Sequence, residues 1–152
     1  RMGLEQLKKS YMIGTLSNGN VRLLVDLSKY NHLNWDVILS GEFLGRYKPA
    51  PEVYLSAAKI LDLNPEEILL VASHKYDLEA AKALGFKTAY VFRPLEFGEV
   101  KEGQFPKPSE FDFVVLGIDE LAKRLPLEYR LYEHFPFQHH QHLWGKRESV
   151  AK

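Results

Sequence analysis

Ile68-Leu69-Leu70-Val71-Ala72-Ser73-His74-Lys75-Tyr76-Asp77-Leu78-Glu79-Ala80-Ala81-Lys82-Ala83-Leu84-Gly85 is the stretch on which the fold turns. It opens with five apolar residues in a row, the pattern of a strand buried on both faces of a parallel sheet. A short polar loop comes next, and then Asp77 to Leu84 carries helical spacing, with Ala80, Ala81 and Leu84 suited to close packing. Gly85 stands where helices commonly stop. A strand, a polar loop and a helix in this order are half of a βαβ unit.

The flanks continue the alternation. Upstream, Pro51 to Leu61 reads as a helix, with Pro51 in its first turn and Val53, Tyr54, Ala57, Ala58 and Leu61 on one face. Asn64-Pro65-Glu66 is a turn. Further back come the end of a helix at Leu4 to Lys9, a strand at Tyr11 to Leu16, a helix at Val21 to Tyr30 and a strand at Val37 to Leu39. Downstream, Thr88 to Phe92 and Phe113 to Leu116 read as strands and Ile118 to Leu125 as a helix. A loop rich in Gly, Pro and charge fills Pro94 to Glu110. The alternation predicts an α/β core with a parallel sheet and helices on both faces, over residues 1–127. Residues 128–152 shift to aromatics and His and read as a C-terminal extension.

Composition narrows the function classes. The 152 residues carry 20 Lys plus Arg against 20 Asp plus Glu, so nothing in the net charge calls for nucleic acid or an anionic membrane. The chain has no cysteine, which removes disulfides, thiolate metal sites and a Cys nucleophile together and fits a cytoplasmic setting. No apolar run approaches the roughly 18–20 residues that span a bilayer. His134, His139, His140 and His142 lack a nearby carboxylate or Cys to complete a zinc spacing. With Phe135, Phe137 and Trp144 they read as an aromatic and polar tail.

Ligands of parallel α/β sheets bind outside the carboxyl ends of the strands. Three segments fall there. Ser17-Asn18-Gly19-Asn20 ends a strand and starts a helix, so free backbone N–H groups, the Ser17 hydroxyl and the Asn18 amide form a candidate anion cradle. The same residues suit an ordinary helix cap. In Tyr47-Lys48-Pro49-Ala50-Pro51, Pro49 extends the backbone at Lys48, so that its ammonium can reach across the sheet mouth to offset negative charge. The ordinary reading is a solvated lysine. Asp77 comes after the apolar strand and either caps a helix or offers a carboxylate at the mouth, to pair with Lys48 or orient water.

Together, in this order, the segments resemble the haloacid dehalogenase superfamily, most of all its L-2-haloacid dehalogenase (type II) branch. The likeness runs from about Leu4 to Leu125 and is most specific from Lys48 through Phe86. It implies a Rossmann-like parallel sheet. It also implies a mechanism in which an Asp near the N-terminus displaces halide from a 2-haloacid to give an ester, which water then hydrolyses. Carried over, Ser17 and Asn18 would bind the substrate carboxylate and help hold the leaving halide, Lys48 would offset charge at the nucleophile, and Asp77 would position Lys48 and water.

The chain departs from the family in three places. Ala72 stands where this branch usually has Ser, and His74 where it has Asn; His74 is either a substrate-binding substitute or an ordinary loop residue. The superfamily's phosphatases usually carry two Asp here, four positions apart, to hold Mg²⁺; Ser73 and Asp77 supply one carboxylate, which favours metal-free dehalogenation. The third departure is the motif of the nucleophilic Asp, which should precede Ser17 by a long stretch. Asp26 lies in a helical pattern and Asp119 in a helix's first turn, so neither serves. The expectation is therefore a core without its first strand and cap domain, inactive alone, with a small 2-haloacid-like substrate in the full-length parent. The rival readings are a Mg²⁺-dependent phosphatase-like hydrolase and a non-catalytic module of the same fold; a homodimer stays open.

Overall fold

A computed structural model describes residues 2–93 and 106–128. Most of the expected 94–110 loop, and all the His and aromatic residues of the expected tail, lie outside the described residues. The chain divides into two compact units, Arg1–Ala122 and Lys123–Lys152. The first unit carries the sheets and all three candidate segments.

Helix α1 (Met2–Lys8) leads to strand β1 (Gly14–Ser17), helix α2 (Val21–Tyr30) and strand β2 (Val37–Ser40). A four-residue helix α3 (Gly41–Leu44) and helix α4 (Pro51–Leu61) come next. After a 3-10 turn at Pro65–Glu67 come strand β3 (Leu69–Ala72), helix α5 (Lys75–Ala83), strands β4 (Lys87–Val91) and β5 (Phe113–Val115), and helix α6 (Ile118–Glu128).

Local chemistry explains the boundaries. Asn20 caps α2, its side chain accepting from the Leu23 N–H at 2.7 Å. Pro51 opens α4, where its missing N–H costs nothing. Gly85 takes φ +90, a left-handed conformation that glycine adopts without a Cβ penalty, and ends the turn after α5. Sequence periodicity does not reveal α3, which is held at one end by Ser40 as N-cap and at the other by Gly45 at φ +70.

Among the described residues all pairings are parallel, but the strands form two sheets, β1-β2 and β3-β4-β5. Helix α2 packs on β2, α5 on β3 and β4, and α4 on α5. One apolar cluster joins Tyr54 and Ala58 of α4, Leu70 of β3, Leu78 and Ala81 of α5, Phe86, Tyr90 and Phe111. Leu16 of β1 packs against this cluster.

One expectation needs correction. The apolar run Ile68 to Ala72 predicts burial on both faces, yet Val71 is 37% exposed and of β3's four residues only Leu70 is buried. Successive side chains point to opposite faces. Leu70 and Ala72 meet the cluster, while Val71 points the other way from a strand whose single neighbour among the described residues is β4.

Candidate active site

Asp77 is the third residue of α5, inside the helix rather than at its cap, and almost fully buried. Burying a carboxylate is costly unless it is paired and hydrogen-bonded. Both of its oxygens are engaged. The Lys48 ammonium donates to Oδ2 in a short charge-assisted contact, with both side chains largely shielded from water. The Tyr54 hydroxyl donates to Oδ1 at 2.6 Å. Tyr54 is fully buried, and burial together with the neighbouring Asp77 carboxylate pushes its phenol well above its usual range, so it keeps the proton it donates.

Lys48 is fixed from its backbone as well. Its N–H donates to the Asn18 Oδ1 at 2.7 Å, and its carbonyl accepts from the Asn18 Nδ2 at 3.0 Å. This two-point clamp sets the orientation of the amide and ties the end of β1 to the segment before α4. The Lys48–Pro49 peptide bond is cis.

The loop after β1 differs from a simple helix-start cradle. The Gly19 N–H is taken by the Ser17 Oγ at 3.0 Å, the Val21 N–H by the Glu42 carboxylate at 2.9 Å, and the Leu23 N–H by Asn20. These N–H groups are therefore not open to a ligand, which corrects the expected cradle. Donors do remain on the side chains: the Ser17 hydroxyl accepts here and keeps its own hydrogen, the Asn18 amide keeps one N–H, and the Lys48 ammonium keeps two. The site is a set of side-chain donors around a buried carboxylate.

Of the residues singled out from sequence, Asn18, Lys48 and Asp77 form one bonded chain, and Ser17 adjoins it through Asn18. His74 occupies the N-cap position of α5, without a side-chain cap bond, its ring 5.8 Å from that of Tyr76. Asp26 pairs with Arg22 along α2, and Asp119 accepts from the Gly3 N–H in the first turn of α6. Two contributors were not anticipated. Tyr54 reads as one more apolar residue on α4, although a buried phenol needs a partner. Ser40, fully buried, donates to the Gly19 carbonyl at 2.6 Å and accepts from the Glu42 N–H at 3.2 Å, bracing the loop from β2.

The family model for haloacid dehalogenase-like hydrolases matches residues 2–91. The chain belongs to that family. Among curated relatives, the (S)-2-haloacid dehalogenase 4A of Burkholderia cepacia is 34% identical over 129 residues, covering 82% of this chain and 51% of that protein. A glyceraldehyde 3-phosphate phosphatase of Pyrococcus furiosus is 28% identical over 138 residues, covering 84% and 53%. The solved L-2-haloacid dehalogenase PA0810 superposes with a TM-score of 0.77 at 41% identity, over 82% of this chain and 55% of that one. The likeness to the type II branch is thus one of sequence and of fold, and the chain spans about half the length of these relatives.

Proposed function

We propose that this chain is the carboxy-terminal core of a hydrolase that removes halide from small 2-halo carboxylic acids, and that the attacking carboxylate comes from a segment outside it. The observation that carries the reading is the Lys48–Asp77–Tyr54 arrangement clamped to Asn18. An ammonium held in a largely dry site stabilises negative charge far better than one in water. Asp77, with both oxygens engaged, is a holder of that ammonium rather than a nucleophile. The remaining donors of Ser17 and Asn18 suit the substrate carboxylate. A carboxylate delivered beside Lys48 would attack the carbon bearing the halogen, and the carbon–halogen bond would break with halide leaving. Water would then cleave the resulting ester to the 2-hydroxy acid, releasing a proton and restoring the carboxylate.

The phosphatase relatives raise a second reading, and the donor set speaks against it. Ser73 stands where a second carboxylate would complete a Mg²⁺ site, and the Lys48 ammonium already occupies Oδ2 of Asp77. The residues present do not fit the ion.

A chimera tests the proposal. The part of the PA0810 dehalogenase that this chain does not match is joined ahead of Met2, and chloride release from 2-chloropropionate is followed. Release is expected, with Lys48→Ala lowering kcat about a hundredfold or more. A folded chimera that releases phosphate from a phosphate ester but no chloride would overturn the dehalogenase reading.

A further inference from the structure

The turn His32-Leu33-Asn34-Trp35, between α2 and β2, takes no part in the site described above. It lies at the amino end of the parallel pair β1-β2, whereas Asn18 and Lys48 meet past the carboxyl end of β1. These four residues line both of two adjoining cavities, of about 500 and 480 Å³. The first is walled by Val25, Ser28 and Lys29 of α2 and by Ile38 of β2. The second is walled by Leu4, Glu5, Lys8 and Lys9, in or just after α1, and by Ile13 ahead of β1. Each has the size of a small-molecule site.

Both cavities combine apolar and cationic surface. Val25, Leu33 and Ile38 are half-buried in one, Leu4 and Ile13 in the other, and the half-buried Trp35 belongs to both. Its indole offers a face for stacking and an N–H to donate. Lys8 is committed, to the Asp36 carboxylate at 2.6 Å and the Asn34 carbonyl at 2.7 Å. Lys29 and Lys9 are exposed, and among the described residues neither ammonium has a hydrogen-bond or ion-pair partner. The last carbonyls of α2, which would repel an anion, are covered: those of Leu27, Ser28 and Lys29 accept from the Asn31, Leu33 and His32 N–H groups. His32 adds a second observation. Its φ is +52, a left-handed conformation that a residue with a side chain adopts at a cost and glycine does not. Such strain collects at ligand clamps.

From this we infer that the two cavities form one binding site for an aromatic carboxylate. The ring stacks on Trp35. The acid group pairs with Lys29, the cation of the cavity that no carboxylate lines, since the other holds Glu5. Charge and an apolar face thus select the ligand together. The site shares no residue with the Lys48–Asp77–Tyr54 group, and nothing in it depends on the reaction proposed above.

The test uses the whole 152-residue chain, isotope-labelled, with 2-naphthoate as the probe. Backbone and indole N–H signals are followed by two-dimensional NMR; Trp35 and Trp144 are the only tryptophans, and Trp35→Ala identifies the Trp35 signal. The expected result is saturable shifts at residues 28–38 and at the Trp35 indole, with a Kd of about a millimolar or tighter. The neutral 2-naphthamide is expected to bind about threefold more weakly. Lys29→Gln should bring the acid down to the level of the amide and leave the amide unchanged. Trp35→Ala should weaken both about tenfold. His32→Gly should weaken the acid without lowering the urea midpoint, because glycine relieves the backbone. Should Trp35→Ala fail to fold, the amide and the exposed Lys29 still decide.

No saturable shift up to the solubility of the probe would overturn the site. Equal affinity for acid and amide would do the same, as would undiminished binding of the acid to Lys29→Gln. Shifts confined to residues 17–19 and 48 would assign the probe to the other end of the strands and overturn it too. So would shifts of the same signals on diluting the chain without probe, since a second copy would then be what covers the groove.

Discussion

Tyr54 is the residue on which the buried carboxylate most visibly depends. Its hydroxyl is the sole described donor to Asp77 Oδ1, and it sits in a fully buried position. Tyr54→Phe leaves that oxygen without a donor and is expected to destabilise the chain by about 1–3 kcal/mol in urea unfolding at neutral pH. The phenol also sets an alkaline limit. Its proton is held more tightly in the folded chain than in the unfolded one, where it leaves near the usual 10.0. The unfolded state thus sheds a proton first, so this contribution is whole below pH 10.0 and falls away above it. Tyr54→Phe should remove that part of the alkaline loss. Lys48 and Asp77 make a complementary pair of experiments. Lys48→Met strands a buried charge and is expected to cost about 3–5 kcal/mol, while Lys48→Met with Asp77→Leu should recover a good part of it. Lys48 and Asp77 are legible in sequence only as members of an ordered set of segments that resembles the family, since alone a lysine reads as solvated and an acid at a helix start as a cap. Tyr54 is not legible, because helical spacing marks a tyrosine as core without saying where its hydroxyl points.

The short helix α3 shows how a small element can shape a site. Ser40 at its N-cap donates to the Gly19 carbonyl, and Glu42 in its first turn accepts from the Val21 N–H. The loop between β1 and α2 is therefore held from β2. Ser40→Ala is expected to cost about 1–3 kcal/mol and to speed amide exchange over residues 17–21, since it removes a cap and leaves a carbonyl unpaired. At the other end of β2, Asp36 accepts from the Ile13 N–H at 2.9 Å and pairs with Lys8 at 2.6 Å. Burial alone would push its carboxyl up, but the Lys8 and Ile13 hydrogen bonds and the Lys8 charge hold it below the usual 3.8. The unfolded state takes up the proton first as pH falls, so this link is intact above pH 3.8 and lost on further acidification. Being partly exposed, it is expected to contribute only about 0.5 kcal/mol, checked by comparing acid unfolding of the chain and of Asp36→Asn. The long elements α2 and α4 matched their sequence limits, because caps, a proline and an apolar stripe mark them. Helix α3 escaped notice because four residues carry no periodicity.

At the scale of the molecule, the alternation of strands and helices was enough to expect parallel pairing, and each strand pair bears it out. What alternation could not show is that the strands divide into two sheets. That division depends on which edges meet, a property of the assembled chain rather than of any one segment. It also explains why β3, apolar throughout, is only partly buried. An ammonium, a holding carboxylate and two side-chain donors stand together at one end of this arrangement, while the carboxylate that would attack substrate has no counterpart in the bonded group. Chloride release from 2-chloropropionate by the purified 152-residue chain tests this most directly. No release above the buffer rate, from a chain shown to be folded, is the predicted result. Steady turnover that Lys48→Ala abolishes would contradict it, because some carboxylate of this chain would then be making the attack.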